Sequence, residues 1–195
     1  MVTDELDQLL LDRFHLSRAD LITALKTIPA HRRWAATLTA EEARLLDDAG
    51  FVEDPGAYAE IAADVVAHMA RLISTAHTAA VVASGLGVKA SRVRQRRLAR
   101  TLWAIDDGGT WVYPVLQFEP TEEGVLELKQ VRGLDRLLPA LPLDLHPTSV
   151  AGFLLTPQPE LRVDGQPKSV LDWLRSGGAV EPILRLVEVA DWAAR

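Results

Sequence analysis

Val88-Lys89-Ala90-Ser91-Arg92-Val93-Arg94-Gln95-Arg96-Arg97-Leu98-Ala99-Arg100-Thr101-Leu102-Trp103-Ala104-Ile105-Asp106-Asp107-Gly108-Gly109-Thr110-Trp111 is the stretch on which the reading of this chain turns. Six cationic side chains fall between Lys89 and Arg100, and no acid follows until Asp106. The rest is acidic: the net charge is −6 over 195 residues, which leaves −12 once those six cations are set aside. A chain that repels phosphate everywhere except along one short helix has placed its cations where a polyanion can dock, and nucleic acid is the polyanion this implies.

Working outward, Ser74 or Thr75 is positioned to cap a helix running through Ala83, and Gly85-Leu86-Gly87-Val88 reads as a tight turn. The basic helix then runs to about Arg100. On it Ala90, Val93 and Arg97 share one face, while Lys89, Arg92, Gln95, Arg96 and Ala99 lie opposite. Trp103-Ala104-Ile105 and Trp111-Val112-Tyr113 are β-prone runs around Asp106-Asp107-Gly108-Gly109-Thr110, which is a hairpin signal. Helix, turn, helix, hairpin is the order of a winged helix-turn-helix. An α-helix fits the major groove, where Arg and Gln pair bidentately with guanine and adenine edges. The expected duplex-DNA contacts are Lys89, Ser91, Arg92, Arg94, Gln95, Arg96 and Arg100. A solvated Arg-rich helix face is the alternative; the flanking turn and hairpin favour the interface.

The N-terminal segment, 1–73, reads as helical. Leu6, Leu9, Leu10 and Phe14 form one apolar stripe, and Tyr58, Ile61, Val65, Met69 and Leu72 another. Ser17 caps a second helix that Pro29 ends, and Thr39 with Glu41 and Glu42 starts a third that Gly50 stops. The stripes Leu6, Leu10, Phe14 and Ile61, Val65, Met69 are the expected homodimer surface. In the C-terminal segment, 119–195, Leu126 to Val131 is ambiguous between helix and strand. Short helices are expected over Leu134–Leu141, Ser149–Leu155, Ser169–Arg175 and Glu181–Trp192.

Two resemblances follow. Ala79-Ala80-Val81-Val82-Ala83, Leu86-Gly87-Val88, Ser91-Arg92-Val93-Arg94-Gln95, Leu102-Trp103-Ala104-Ile105 and Gly109-Thr110-Trp111-Val112-Tyr113-Pro114-Val115-Leu116-Gln117-Phe118 resemble the excisionase/MerR-type winged helix-turn-helix. Two departures stand out: Arg97 occupies a position that is usually aliphatic, and Ser84-Gly85 lengthens the turn region. Further on, Ser149-Val150-Ala151-Gly152-Phe153-Leu154, Thr156-Pro157-Gln158-Pro159-Glu160-Leu161, Gly165-Gln166-Pro167-Lys168-Ser169-Val170-Leu171-Asp172-Trp173-Leu174 and Gly177-Gly178 are similar to the Xre/MbcA/ParS-type toxin-binding domain. That resemblance implies an antitoxin whose cognate toxin carries a RES domain and consumes NAD, with Trp173 as the partner-binding anchor. The alternative is a helical cap that covers the winged helix or makes a dimer contact, with Trp173 in a core.

Composition excludes more than it identifies. There is no Cys, so disulfides and thiolate metal sites are excluded. No apolar run approaches a membrane span, no signal-peptide pattern opens the chain, and a cytoplasmic protein is expected. Arg outnumbers Lys 17 to 4, as in GC-rich bacterial genomes. No phosphate-loop, dinucleotide or nucleophile-elbow sequence occurs, so neither an enzyme nor a cofactor is expected. Asp64 and His68, four apart, read as a surface pair before a metal site, and Asp106-Asp107-Gly108-Gly109 as a wing tip before a cation loop. The tryptophans at 34, 103, 111, 173 and 192 read as core anchors, with Trp103 and Trp111 facing each other across the wing.

The expected fold is thus mainly α: a helical segment at 1–73, a winged helix-turn-helix with a two-stranded wing at 74–118, and a helical C-terminal domain at 119–195. The expected function is sequence-specific transcriptional regulation, with antitoxin autoregulation as its specific form. The alternatives are a protein-binding adaptor or inhibitor without DNA binding, and a small-molecule-sensing regulator.

Overall fold

Polar residues three apart mark where helices begin, because the first N–H groups of a helix have no partner within it. The Ser17 hydroxyl accepts the Asp20 N–H at 3.2 Å while the Asp20 carboxylate accepts the Ser17 N–H at 2.8 Å. Thr39 and Glu42 exchange the same pair of bonds at 3.3 and 2.8 Å. These backbone and hydroxyl bonds hold the Glu42 carboxyl below its ordinary range. Both starts agree with the sequence reading. The computed structural model describes residues 5–27, 39–50, 55–120 and 127–190. The expectations for Pro29, Trp34 and Trp192 lie outside them.

The chain is mainly α and divides into two compact units, 1–71 and 72–195. The first holds α1 (Glu5–Phe14), α2 (Arg18–Thr27), α3 (Ala40–Asp48) and most of α4 (Pro55–Ser74). Arg18 and Asp7 tie α2 to α1 at 2.7 Å. Leu10 and Met69 are buried, whereas Leu6, Phe14 and Ile61 are exposed. The stripes expected to form a dimer surface are therefore split, with Leu10 and Met69 serving a core and Val65 half-buried.

In the second unit the expected cap at Ser74 or Thr75 is corrected. α4 runs through Ser74, and a short strand β1 (His77–Thr78) follows. Thr78 then caps α5 (Ala79–Gly85), its hydroxyl accepting the Val81 N–H at 3.3 Å. α6 (Ala90–Leu98) comes next, then β2 (Ile105–Asp107) and β3 (Thr110–Tyr113). These strands form an antiparallel sheet in the order β1-β3-β2. Gly108 and Gly109, at φ 60° and 95°, supply the two left-handed residues of the tight β2–β3 turn. Val82, Ala83, Val93, Leu102, Tyr113, Phe118 and Leu128 form one buried cluster that joins α5, α6 and the sheet.

The remainder comprises α7 (Leu134–Ala140), α8 (Pro147–Leu155), β4 (Pro157–Val163), β5 (Gln166–Ser169), α9 (Val170–Arg175) and α10 (Glu181–Val189). The expectation that this segment is all helical is corrected: β4 and β5 form an antiparallel hairpin. Its turn is Asp164-Gly165, at φ 52° and 76°. Within β4 only Leu161 is buried, so no apolar alternation announces the strand. Pro157, Pro159 and Pro167 argue against strands on their face, yet they suit a two-stranded ribbon with two edges.

The segments expected at 74–118 and 119–195 lie within the one unit. Residues 127–131 run back along 117–119: Leu128 N–H reaches Gly85 O at 2.8 Å, Glu119 N–H reaches Lys129 O at 2.7 Å, and Val131 N–H reaches Gln117 O at 2.9 Å. Among the described residues no helix is long and apolar enough to cross a membrane.

Candidate nucleic-acid interface

A single buried anchor holds α6. Val93 is fully buried in the cluster, and the preceding turn closes through Val88 N–H to Ala83 O at 2.9 Å, with Gly87 left-handed at φ 62°. A helix of nine residues with one fully buried side chain leaves most of its surface outside. Lys89, Ser91, Arg92, Arg94 and Gln95 are all exposed. Among the described residues, the side chains of Lys89, Ser91 and Arg94 make no hydrogen bond or ion pair. Arg92 reaches only Gln95, at a long 3.4 Å.

The structure places the other two expected contacts differently. Arg96 is half-buried and donates to the Gln130 carboxamide, whose NH₂ in turn donates to Thr101 O at 2.7 Å. Burial pulls the Arg96 guanidinium below its ordinary value; the Asp135 charge opposes this and Arg92 adds to it. Arg100 turns left-handed at φ 57° and donates to three carbonyls, those of Pro139, Leu141 and Pro142, at 3.2, 2.6 and 3.2 Å. It caps the C-terminal end of α7, where unpaired carbonyls favour a cation. Arg96 and Arg100 thus fasten the α6 region to residues 127–142.

Arg97, the cation on the otherwise apolar face of α6, faces the hairpin. Its guanidinium carbon sits 3.9 Å from the Trp111 ring centroid, a cation–π stack. Trp111 therefore pairs with an arginine, not with Trp103 as expected. In the hairpin register Trp111 lies opposite Asp106. Trp103 is buried, and its backbone N–H and C=O are held by the Gln117 side chain at 2.9 and 2.7 Å. Gln117, fully buried, also donates to Pro114 O at 3.2 Å. Neither Gln117 nor Gln130 carried a signal in the sequence beyond being polar. Arg97 did: a cation at a position whose face is otherwise Ala90 and Val93 needs a partner.

Trp173, the expected partner anchor, is satisfied within its own unit. Its indole N–H donates to Ala179 O at 2.8 Å, and a Cβ on Gly178 would fall 2.3 Å from the ring. Gly178 is the only residue type that can lie so close to the indole. Asp64 and His68 are exposed on α4, and among the described residues no three His, Asp or Glu side chains gather as a metal site. No family model matches the chain, nor does any curated protein or solved structure.

Proposed function

We propose that this chain binds duplex DNA through α6, as a winged helix-turn-helix with β2–β3 as the wing, and regulates transcription. One observation carries the reading. The outward surface of α6 offers Lys89, Arg92, Arg94 and the polar Ser91 and Gln95 with no carboxylate partner among the described residues, in a chain that is otherwise acidic. Lys89 and Arg94 suit phosphate contacts, while Arg92 and Gln95, one turn apart, suit base edges in the major groove. Arg96 and Arg100 are left out because each side chain is drawn back onto the chain, Arg96 to Gln130 and Arg100 to the end of α7.

A single short helix reads few base pairs, so the proposal includes a two-fold dimer on a palindromic site. The exposed Leu6, Phe14 and Ile61 of the first unit are its candidate contacts. Selection from random duplexes should return an enriched palindromic motif, and the binding constant should fall steeply with salt, by about 0.9 log unit per log salt for each phosphate contact. Selection that returns no motif, with binding no better than to bulk DNA, overturns the proposal. An antitoxin role would add a protein partner for residues 119–195. Trp173 is half-buried with its indole N–H held by Ala179 O, which leaves part of its ring for such a partner, and co-purification with a RES-domain toxin is the test.

A further inference from the structure

The hairpin's part in DNA binding need not lie at its tip. The tip carries Asp106 and Asp107, and the Asp106 carboxylate accepts the Gly109 N–H at 2.7 Å to hold the turn. Two carboxylates beside the turn repel a phosphate backbone. The inner flank is different. Between α5, α6 and β3 lies an open groove of about 610 Å³, whose lining includes Thr78, Ala80, Arg94, Arg97, Thr110 and Trp111. Its charged lining residues are the two arginines, with no carboxylate among them. Among the described residues neither arginine has a hydrogen-bond partner.

The contact with Trp111 holds the Arg97 guanidinium without using a hydrogen bond, so its N–H donors remain for other acceptors. A guanidinium presents a planar fork of donors, the geometry that matches two phosphate oxygens. The small Ala80 and Thr78 side chains leave room opposite, and the Thr110 hydroxyl adds a neutral donor.

We propose that this groove seats one backbone phosphate of the duplex, held between Arg94 and Arg97, and that Trp111 is the positioning residue that aims Arg97. The hairpin then acts as a buttress for an α6 arginine, and its acidic tip stays away from the DNA. This rests on the DNA-binding reading above. It explains why a cation shares the α6 face of Ala90 and Val93 and why an aromatic residue is exposed on β3.

The test uses the full-length protein, a mixed-sequence duplex and its salt dependence, with thermal unfolding of every variant as a control. Arg97→Ala should weaken binding about tenfold and flatten the log–log salt slope by about 0.9. Trp111→Ala, with the charge of Arg97 intact, should weaken binding about fivefold, and Trp111→Phe should restore it to within about twofold. Arg97 is half-buried against Trp111, so unchanged unfolding of Arg97→Ala is what ties its loss of binding to the lost donors. If wild type binds and Arg97→Ala leaves affinity and slope unchanged, the groove assignment falls and the DNA reading stands. If Arg97→Ala acts as expected but Trp111→Ala binds like wild type, the positioning role falls. If wild type shows no salt-dependent binding to duplex, the DNA reading falls and the inference with it. Pyrophosphate that binds the groove without any duplex affinity assigns the arginines to a small phosphorylated molecule and overturns the proposal.

Discussion

Gln117 spends its whole side chain on backbone. Its Oε1 accepts the Trp103 N–H, and its Nε2 donates to Trp103 O and Pro114 O, all without exposure to solvent. An apolar replacement strands those groups, and each buried polar group left unpaired costs about 1–3 kcal/mol. Gln117→Leu should therefore lower unfolding stability by at least about 2 kcal/mol in urea titration. A loss below about 0.5 kcal/mol would show that the loop re-pairs elsewhere. At Gly178 the argument is steric. A methyl group there meets the Trp173 ring at 2.3 Å, so Gly178→Ala must displace the indole from its bond to Ala179. Overpacking of this kind costs about 1–3 kcal/mol. Intrinsic fluorescence should report the movement of Trp173, and an unchanged spectrum with unchanged stability would contradict the placement.

The elements are joined by side chains that cap them. His146 caps α8: its Nδ1 accepts the Thr148 N–H at 3.3 Å, while Nε2 is buried without a partner among the described residues. Protonating Nδ1 removes the acceptor. Burial also pulls His146 and His77 below their ordinary value of 6.5. The unfolded chain then binds more protons than the folded chain, so this stability is full above 6.5 and is lost as pH falls through the folded values. His146→Asn keeps a capping acceptor that does not titrate. It should shrink the drop in melting temperature between about pH 8 and about pH 5, leaving the share due to His77. An unshrunken drop would remove His146 from the account. Arg100 is the corresponding device for α7. Arg100→Ala should cost about 1–2 kcal/mol of stability and leave the duplex salt slope unchanged, whereas Arg94→Ala should flatten the slope and leave stability alone. A flattened slope for Arg100→Ala would return it to the interface.

At the scale of the whole chain, the second unit has its own core. Val93 of α6 packs in one cluster with Val82, Leu102 and Tyr113, and Leu137, Leu154, Leu171 and Ile183 are buried within the C-terminal elements. Backbone bonds from 127–131 to 85 and 117–119 lock the two parts together. Residues 72–195 should therefore unfold in one cooperative transition when expressed alone. They should retain contact with duplex DNA while losing the dimer proposed for the first unit. Two resolved transitions within 72–195 would contradict the single unit.

What the sequence by itself determined was local. Capping pairs three residues apart, glycine stops and the Asp-Gly-Gly turn act within a few residues, so Ser17, Thr39 and Gly108 could be read directly. Charge could be read as well, because six cations in twelve positions need no fold to stand out. The Asp164-Gly165 turn carried the same kind of local signal for β4–β5, but three prolines and a single buried residue hid the strands around it. Only the tertiary structure decided which cations face outward. Arg94, Arg96, Arg97 and Arg100 are chemically identical on paper. The fold turns Arg96 to Gln130, Arg97 to Trp111 and Arg100 to the end of α7, and leaves Arg94 exposed. Those partners lie 14 to 42 residues along the chain, and their distance in sequence is why no spacing rule could have named them.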